Sequence, residues 1–344
     1  MFWFSDWPTI FSTPKEQKVM TALPLKIGVS DSDRTRPIAS GEVSIAGIAA
    51  DVTMMGVQAL FNQQLTEHTF DCCEFPLSSY LRSMERPDRP YVAVPVFPSR
   101  HFRFSCVFVN TAKGIRTPAD LAGKRIGVPV FDMAAAVWLR GIFQDHFGLA
   151  RTSPIYVAGG LETARTGDEH PQFYPDKFRH EERNDKSLAV LLAEGEIDAL
   201  YTARAPSTWP SNSVGRLFEN PMQAELDYYS KTGIFPPMHL IAVKRAIAES
   251  NPGLMLAVFN AFAQAQTVAR ARLFDSAALC TMLPWQLESL LFTEKQLGSD
   301  YWSVGLAKNR AMLEVIIRYM VEDGLIAQAF SPDELFADPD ILKT

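Results

Sequence analysis

Apolar residues come in short runs separated by polar turns, and the spacing within the runs switches between two periods. "LKIGVS" (25–30) and "YVAVPVF" (91–97) are nearly continuous, which predicts strands buried on both faces. "TFDCCEF" (69–75) predicts a short strand and "FRFSCVFVN" (102–110) a long one. "RIGVPV" (125–130), "PIYVAGG" (154–160) and the end of "SLAVLLAEGEIDALYTAR" (187–204) predict three more. Between them, "VTMMGVQALFNQQL" (52–65) has helical spacing. So has "MAAAVWLRGIFQDHFG" (133–148), which Asp132 is expected to cap and Gly148 to stop. Residues 161–187 are polar and predict a surface loop with a short helix. From about residue 246 the pattern is mostly helical, through "PGLMLAVFNAFAQAQTVARARL" and "NRAMLEVIIRYMVEDGL". Strands alternating with helices predict an α/β chain with mostly parallel pairing and right-handed crossovers.

In such sheets a ligand lies just past the carboxyl ends of the strands. The segments there are 30–36, 74–80, 98–103, 131–135, 159–162 and 202–204. Arg34, Arg36, Arg100, His101, Arg103 and Arg204 all fall among them. The chain as a whole is acidic, with net charge −6 and no basic block, which argues against nucleic acid as a partner. Cations gathered at one edge of an acidic protein predict instead a small anionic ligand, since guanidinium groups pair bidentately with carboxylates. "SDSDRTRP" and "FPSRHFRFS" also read as turns whose arginines pair with acidic loops. "FDMAAAVW" opens backbone N–H groups to an anion, or simply starts a helix packed on the sheet. His239, at the start of a strand after two prolines, is either a catalyst or a structural residue.

No dinucleotide-binding, phosphate-loop, nucleophile-elbow or zincin motif is present. Six histidines are scattered without metal-ligand spacing on a helix, and nothing calls for a metal or a redox cofactor. The four cysteines, Cys72, Cys73, Cys106 and Cys280, include no C-x-x-C pair, so reduced thiols in a cytoplasmic protein are expected. The opening "MFWFSDWPTIFSTPKEQKVM" lacks the basic start, continuous apolar stretch and cleavage site of a signal peptide. Residues 1–19 are expected to be a disordered extension. No run of about 18 apolar residues occurs, so no membrane association is expected.

"DRTRP", "PLSSYL", "VPVFPSRHFRFSCVFVN", "GIRTPADLAGKRIGVP", "AAVWLRGI", "GEIDALYTAR", "YYSKTGIFPPMH" and "LGSDYWSVGLAKNR" together resemble, in this order, the 4,5-dihydroxyphthalate decarboxylase family. "GIRTPADLAGKRIGVP" alone looks equally like the solute-binding proteins of ABC importers. The chain departs from the family pattern in "VSDSDRTR", "CCEFPLSSY" and "VPVFDMAAAVW", and at Phe104, where a histidine is usual.

The resemblance implies a two-lobed α/β fold of the type II periplasmic-binding-protein kind with a ligand cleft between the lobes. The first lobe is expected from residues 20–110 plus 235–344 and the second from 111–234. It implies a carboxy-lyase that removes carbon dioxide from a hydroxylated aromatic dicarboxylate without a cofactor. Arg36, Arg100, Arg103 and Arg204 would clamp the acid, with Arg34, Ser78, Ser79, Ser99, Met133 and Gly160 lining the cleft. Phe102 and Trp138 would wall the ring. His101 and His239, with Asp33, are the expected acid–base residues. The partner expected is a small aromatic carboxylate, and a homo-oligomer is expected. The competing reading is a solute-binding protein for a small aromatic or sulfonated anion serving an ABC importer.

Overall fold

The computed structural model describes residues 22–165 and 173–336. The extension expected at 1–19 lies outside them. Two sheets organise the chain. The first has five strands: β1 (Leu23–Ser30), β2 (Ile48–Met55), β3 (Cys72–Pro76), β4 (Tyr91–Arg100) and, after the second sheet, β11 (Pro237–Lys244). The second has six: β5 (Val107–Asn110), β6 (Arg125–Val128), β7 (Ile155–Ala158), β8 (Arg179–Glu182), β9 (Ala199–Tyr201) and β10 (Val214–Arg216). Their orders are β2-β1-β3-β11-β4 and β10-β5-β9-β6-β7-β8. Among the described residues ten α-helices cover the faces: α1 (Arg36–Ala39), α2 (Val57–Glu67), α3 (Leu77–Ser83), α4 (Ala134–Phe147), α5 (Leu188–Ala193), α6 (Pro221–Thr232), α7 (Arg245–Ser250), α8 (Leu254–Phe274), α9 (Gln286–Leu297) and α10 (Arg310–Asp323).

The apolar runs form strands where expected, with Ile27, Val29, Val94 and Phe97 buried. Gly28 allows the Phe70 ring to lie against β1: a Cβ there would stand 2.5 Å from the ring. Several expectations about individual elements are corrected. Residues 52–55 are the end of strand β2, paired in parallel with β1, and the helix starts only after Gly56. Val107–Asn110 pairs with β9 in the second sheet. The long strand expected at 102–110 is broken by Arg103, whose φ of 75° turns the backbone into the left-handed region. Within 161–187 the chain adds an edge strand, β8, beside β7. Asp132 does not cap α4; Met133 occupies that position, and Asp132 pairs with Arg82 of α3.

The chain passes from the carboxyl end of β4 through residues 101–106 to β5, and returns from α6 through 233–236 to β11. Both crossings therefore join the edges where a ligand is expected, and those edges face each other. One hydrophobic core runs through both sheets by way of α4 and α10. Trp138 of α4 is fully buried and its indole N–H donates to Pro237 O at 3.0 Å. Arg140 of α4, completely buried, meets Asp323 of α10 at 2.6 Å, and Arg151 reaches the same carboxylate at 2.7 Å.

Candidate functional site

β3 and β11 run antiparallel, and their register sets His239 opposite Pro76 on one side and opposite Ser99 of β4 on the other. Pro95 and Pro98 interrupt β4, and between His239 and Ile241 the pairing on β4 slips from Ser99 to Val94. Such a bulge re-aims side chains and frees carbonyls at a sheet rim. Pro95 O accepts from Gly305 N at 2.9 Å and Pro98 O from Arg34 Nε at 2.8 Å.

Glu74, in the middle of the buried "CCEFP" strand, is 1% exposed. Its Oε1 accepts from His239 Nδ1 at 2.5 Å. Its Oε2 accepts from Ser30 N at 3.0 Å and Ser30 Oγ at 2.5 Å. Burial alone would raise this carboxyl's pKa; the bonds from His239 and Ser30 outweigh it and hold the group below the usual range. The His239 side chain keeps 14% of its surface open, and Phe61 of α2 stands edge-on to its ring at 4.7 Å. With Nδ1 committed to the carboxylate, Nε2 is the nitrogen left for a ligand. Glu74 was not among the expected residues. The signal for it was a lone acid inside an otherwise apolar strand.

The expected arginines divide into two kinds. Arg100 is 6% exposed and its guanidinium turns into the protein. Nη1 donates to Phe235 O at 3.0 Å, and Nη2 to Ser303 O at 2.9 Å and Asn309 Oδ1 at 2.5 Å. Desolvation pulls its pKa down to about 9. Arg36 is 55% exposed and pairs with Asp31. Arg34 pairs with Asp33 and stacks on Trp302, its Cζ 4.3 Å from the ring centre. Arg103 and Arg204, like Arg100, have no carboxylate within ion-pair distance among the described residues. Arg103 is buried and donates to Ala203 O at 3.0 Å, which sets it beside Arg204; burial lowers its pKa. Arg204 is exposed just past the end of β9.

His101 accepts from Arg103 N at Nδ1, 3.0 Å away. Burial and the Arg103 charge push its pKa down to about 4, so it stands neutral. A neutral imidazole with that tautomer donates a hydrogen bond through Nε2 and is a poor proton donor to carbon. Trp138, expected as a wall of the cleft, is sealed in the core instead. Phe102 stacks at a tilt on Phe235, 4.7 Å between centres. Ser78 is buried at the start of α3, Ser79 and Met133 are half-buried, and Gly160 leaves room for Thr163 O, 2.0 Å from where a Cβ would be. Among the described residues no group of three or more His, Cys, Asp or Glu is placed to hold a metal ion.

A groove of about 620 Å³ lies between α6 and α9, walled by Phe102, Leu226, Phe235, Phe292 and Tyr301, with Arg100 and His101 also lining it. Neither Glu74 nor His239 lines it. Its arginine has its Nη donors engaged by neutral acceptors and Glu225 and Glu288 add negative charge, so it is poorly matched to a dianion.

The fold is that of known binding proteins. The periplasmic aliphatic sulphonate binding protein SsuA from Escherichia coli superposes with a TM-score of 0.50 at 13% identity, covering 92% of each chain. A putative periplasmic sulfonate-binding protein SsuA from Methylobacillus flagellatus superposes with the same score at 11% identity over 94% of this chain and 93% of its own. No protein-family profile matches the chain. Sequence similarity is higher elsewhere. A 4,5-dihydroxyphthalate decarboxylase from Pseudomonas putida is 35% identical over 62% of this chain and 84% of its own. Another from Comamonas testosteroni is 35% identical over 320 residues, 92% of this chain and 97% of its own. At that identity and coverage the chain belongs to the 4,5-dihydroxyphthalate decarboxylase family.

Proposed function

We propose that this protein is a carboxy-lyase that decarboxylates a hydroxylated aromatic dicarboxylate, such as 4,5-dihydroxyphthalate to 3,4-dihydroxybenzoate. The observation that carries the reading is the 35% identity, over 92% of this chain, to a relative bearing that name. The site supports it chemically. A flat dianion leaving water needs positive charge held ready, and Arg103 and Arg204 offer neighbouring guanidinium groups that make no ion pair among the described residues. The para hydroxyl pushes electron density to the ring carbon that carries the departing carboxylate. A proton added at that carbon lets the carbon–carbon bond break, its electron pair returning to the ring as carbon dioxide leaves. Substrate dianion plus one proton gives product monoanion plus carbon dioxide, with no change of oxidation state to be made good by another reactant.

Purified protein incubated with 4,5-dihydroxyphthalate should release carbon dioxide and 3,4-dihydroxybenzoate in equal amounts. Tight binding of a panel of aromatic acids with no turnover of any would overturn the reading in favour of solute binding. Among the described residues no helix is long and apolar enough to cross a membrane. Four free cysteines, three of them buried, support placing the reaction in the reducing cytoplasm. The exposed apolar side chains Leu279, Met282, Leu283, Trp285 and Phe292 support assembly of like chains through this face.

A further inference from the structure

We propose that Glu74 and His239 form the proton-delivering unit of the site, with Glu74 as its positioning residue; this rests on the decarboxylase reading. Three observations converge. First, Glu74 is a carboxylate inside a strand, where an unpaired charge is costly, and every acceptor contact it makes is local: His239 Nδ1 on one oxygen, Ser30 N and Oγ on the other. Three donors fix the carboxylate plane and therefore the imidazole. Second, His239 is the member that reaches the ligand edge: its ring is partly open and stands in register with Ser99, at the carboxyl end of β4. Third, the other histidine of the edge, His101, has its Nδ1 turned to the Arg103 backbone and that arginine's charge beside it. A cation-flanked imidazole disfavours the protonated form that a carbon acid step requires, whereas a carboxylate-paired one complements it.

The assignment gives each atom a place. In the protonated pair, Nδ1–H stays on Glu74 Oε1 and Nε2–H points to the edge. Nε2 gives its proton to the ring carbon bearing the departing carboxylate; the electron pair of the breaking carbon–carbon bond stays on the ring, carbon dioxide leaves neutral, and the imidazolium becomes neutral as the substrate dianion becomes the product monoanion. Glu74 remains ionised throughout, as the carboxylate partner of a histidine does in a hydrolytic triad. Nε2 is reprotonated from solvent through its open side before the next turnover. Ser30 takes part only by holding Glu74 Oε2.

The test is Glu74→Gln, which keeps the shape and removes the charge. kcat should fall on the order of 10²-fold, with KM within about three-fold of the parent, because the ring is held by other residues. Glu74→Asp should recover part of the loss. Independently of turnover, nitrogen-15 NMR of the unliganded protein should show a strongly deshielded His239 Nδ1 proton that disappears in Glu74→Gln; a melting curve establishes that the variant is folded. Parent-like kcat in folded Glu74→Gln would overturn the proposal. So would a loss of kcat with the deshielded proton retained. Should the parent turn over no hydroxyphthalate at all, the decarboxylase reading fails, while the NMR comparison still decides whether Glu74 holds His239.

Discussion

Arg100 sits in the sequence where a substrate clamp was expected, yet its guanidinium is turned inward, and substitution separates the two roles. In Arg100→Ala, Phe235 O loses the only side-chain donor directed at it among the described residues, at a cost of about 1–3 kcal/mol for a part-buried carbonyl left unpaired. Ser303 O and Asn309 Oδ1 keep a second bond, to Asn309 Nδ2 and Ser303 Oγ respectively, so each loss there is about 0.5–1.5 kcal/mol. Against this stands the relief of no longer burying a cation without a carboxylate partner. The net is a destabilisation of about 2–4 kcal/mol, or a fall in Tm of about 4–8 °C. Arg100→Lys should fall nearly as far, since one compact ammonium cannot reach Phe235, Ser303 and Asn309 together. Differential scanning fluorimetry beside steady-state kinetics measures both quantities. An unchanged Tm with kcat/KM lowered on the order of 10²-fold would refute the structural assignment and return Arg100 to the substrate.

Arg204→Ala should leave Tm within about 1 °C and raise KM on the order of 10-fold or more, checked by initial rates; an unchanged KM would remove Arg204 from the dianion site. His101 is held neutral down to about pH 4, whereas an unfolded histidine takes up its proton near pH 6.5. The unfolded chain therefore binds more protons between those values, and stability should fall as pH drops from about 6.5 to 4. His101→Asn should flatten that part of a urea-denaturation series, and an undiminished slope would place the titration elsewhere. Asp323→Asn, which leaves the fully buried Arg140 without a countercharge and Arg151 with Glu322 alone, should destabilise by about 3–5 kcal/mol in thermal melts; a loss under 1 kcal/mol would contradict the buried pairing.

The strands that could be read from the sequence were those with continuous apolar runs, because burial on both faces leaves no other pattern. Residues 52–55 were lost to the following helix: Val52, Met54 and Met55 continue the apolar spacing of α2, and only Gly56 marks the join. Arg103 hid its break in a strand-like run because a positive φ in a residue other than glycine leaves no compositional trace. Arg103 and Arg204 fell in the segments that the rule for strand ends marks, whereas His239, at the start of β11, did not. What Arg100 touches did not, since Ser303 and Asn309 lie more than 200 positions away and nothing near Arg100 announces them. Glu74 was visible as a residue and invisible as a partner, because its histidine lies 165 positions downstream.

The fully buried contact between Arg140 and Asp323 spans 183 positions, so the middle of the chain waits on its last helix. A nascent polypeptide that has already released α4 carries two uncompensated guanidinium groups, Arg140 and Arg151, until Asp323 has been synthesised. Closing so long a loop is slow. During vectorial synthesis the second sheet would be held in a reversible, chaperone-accessible state, and premature termination before α10 would yield a product that quality control recognises by its buried charge.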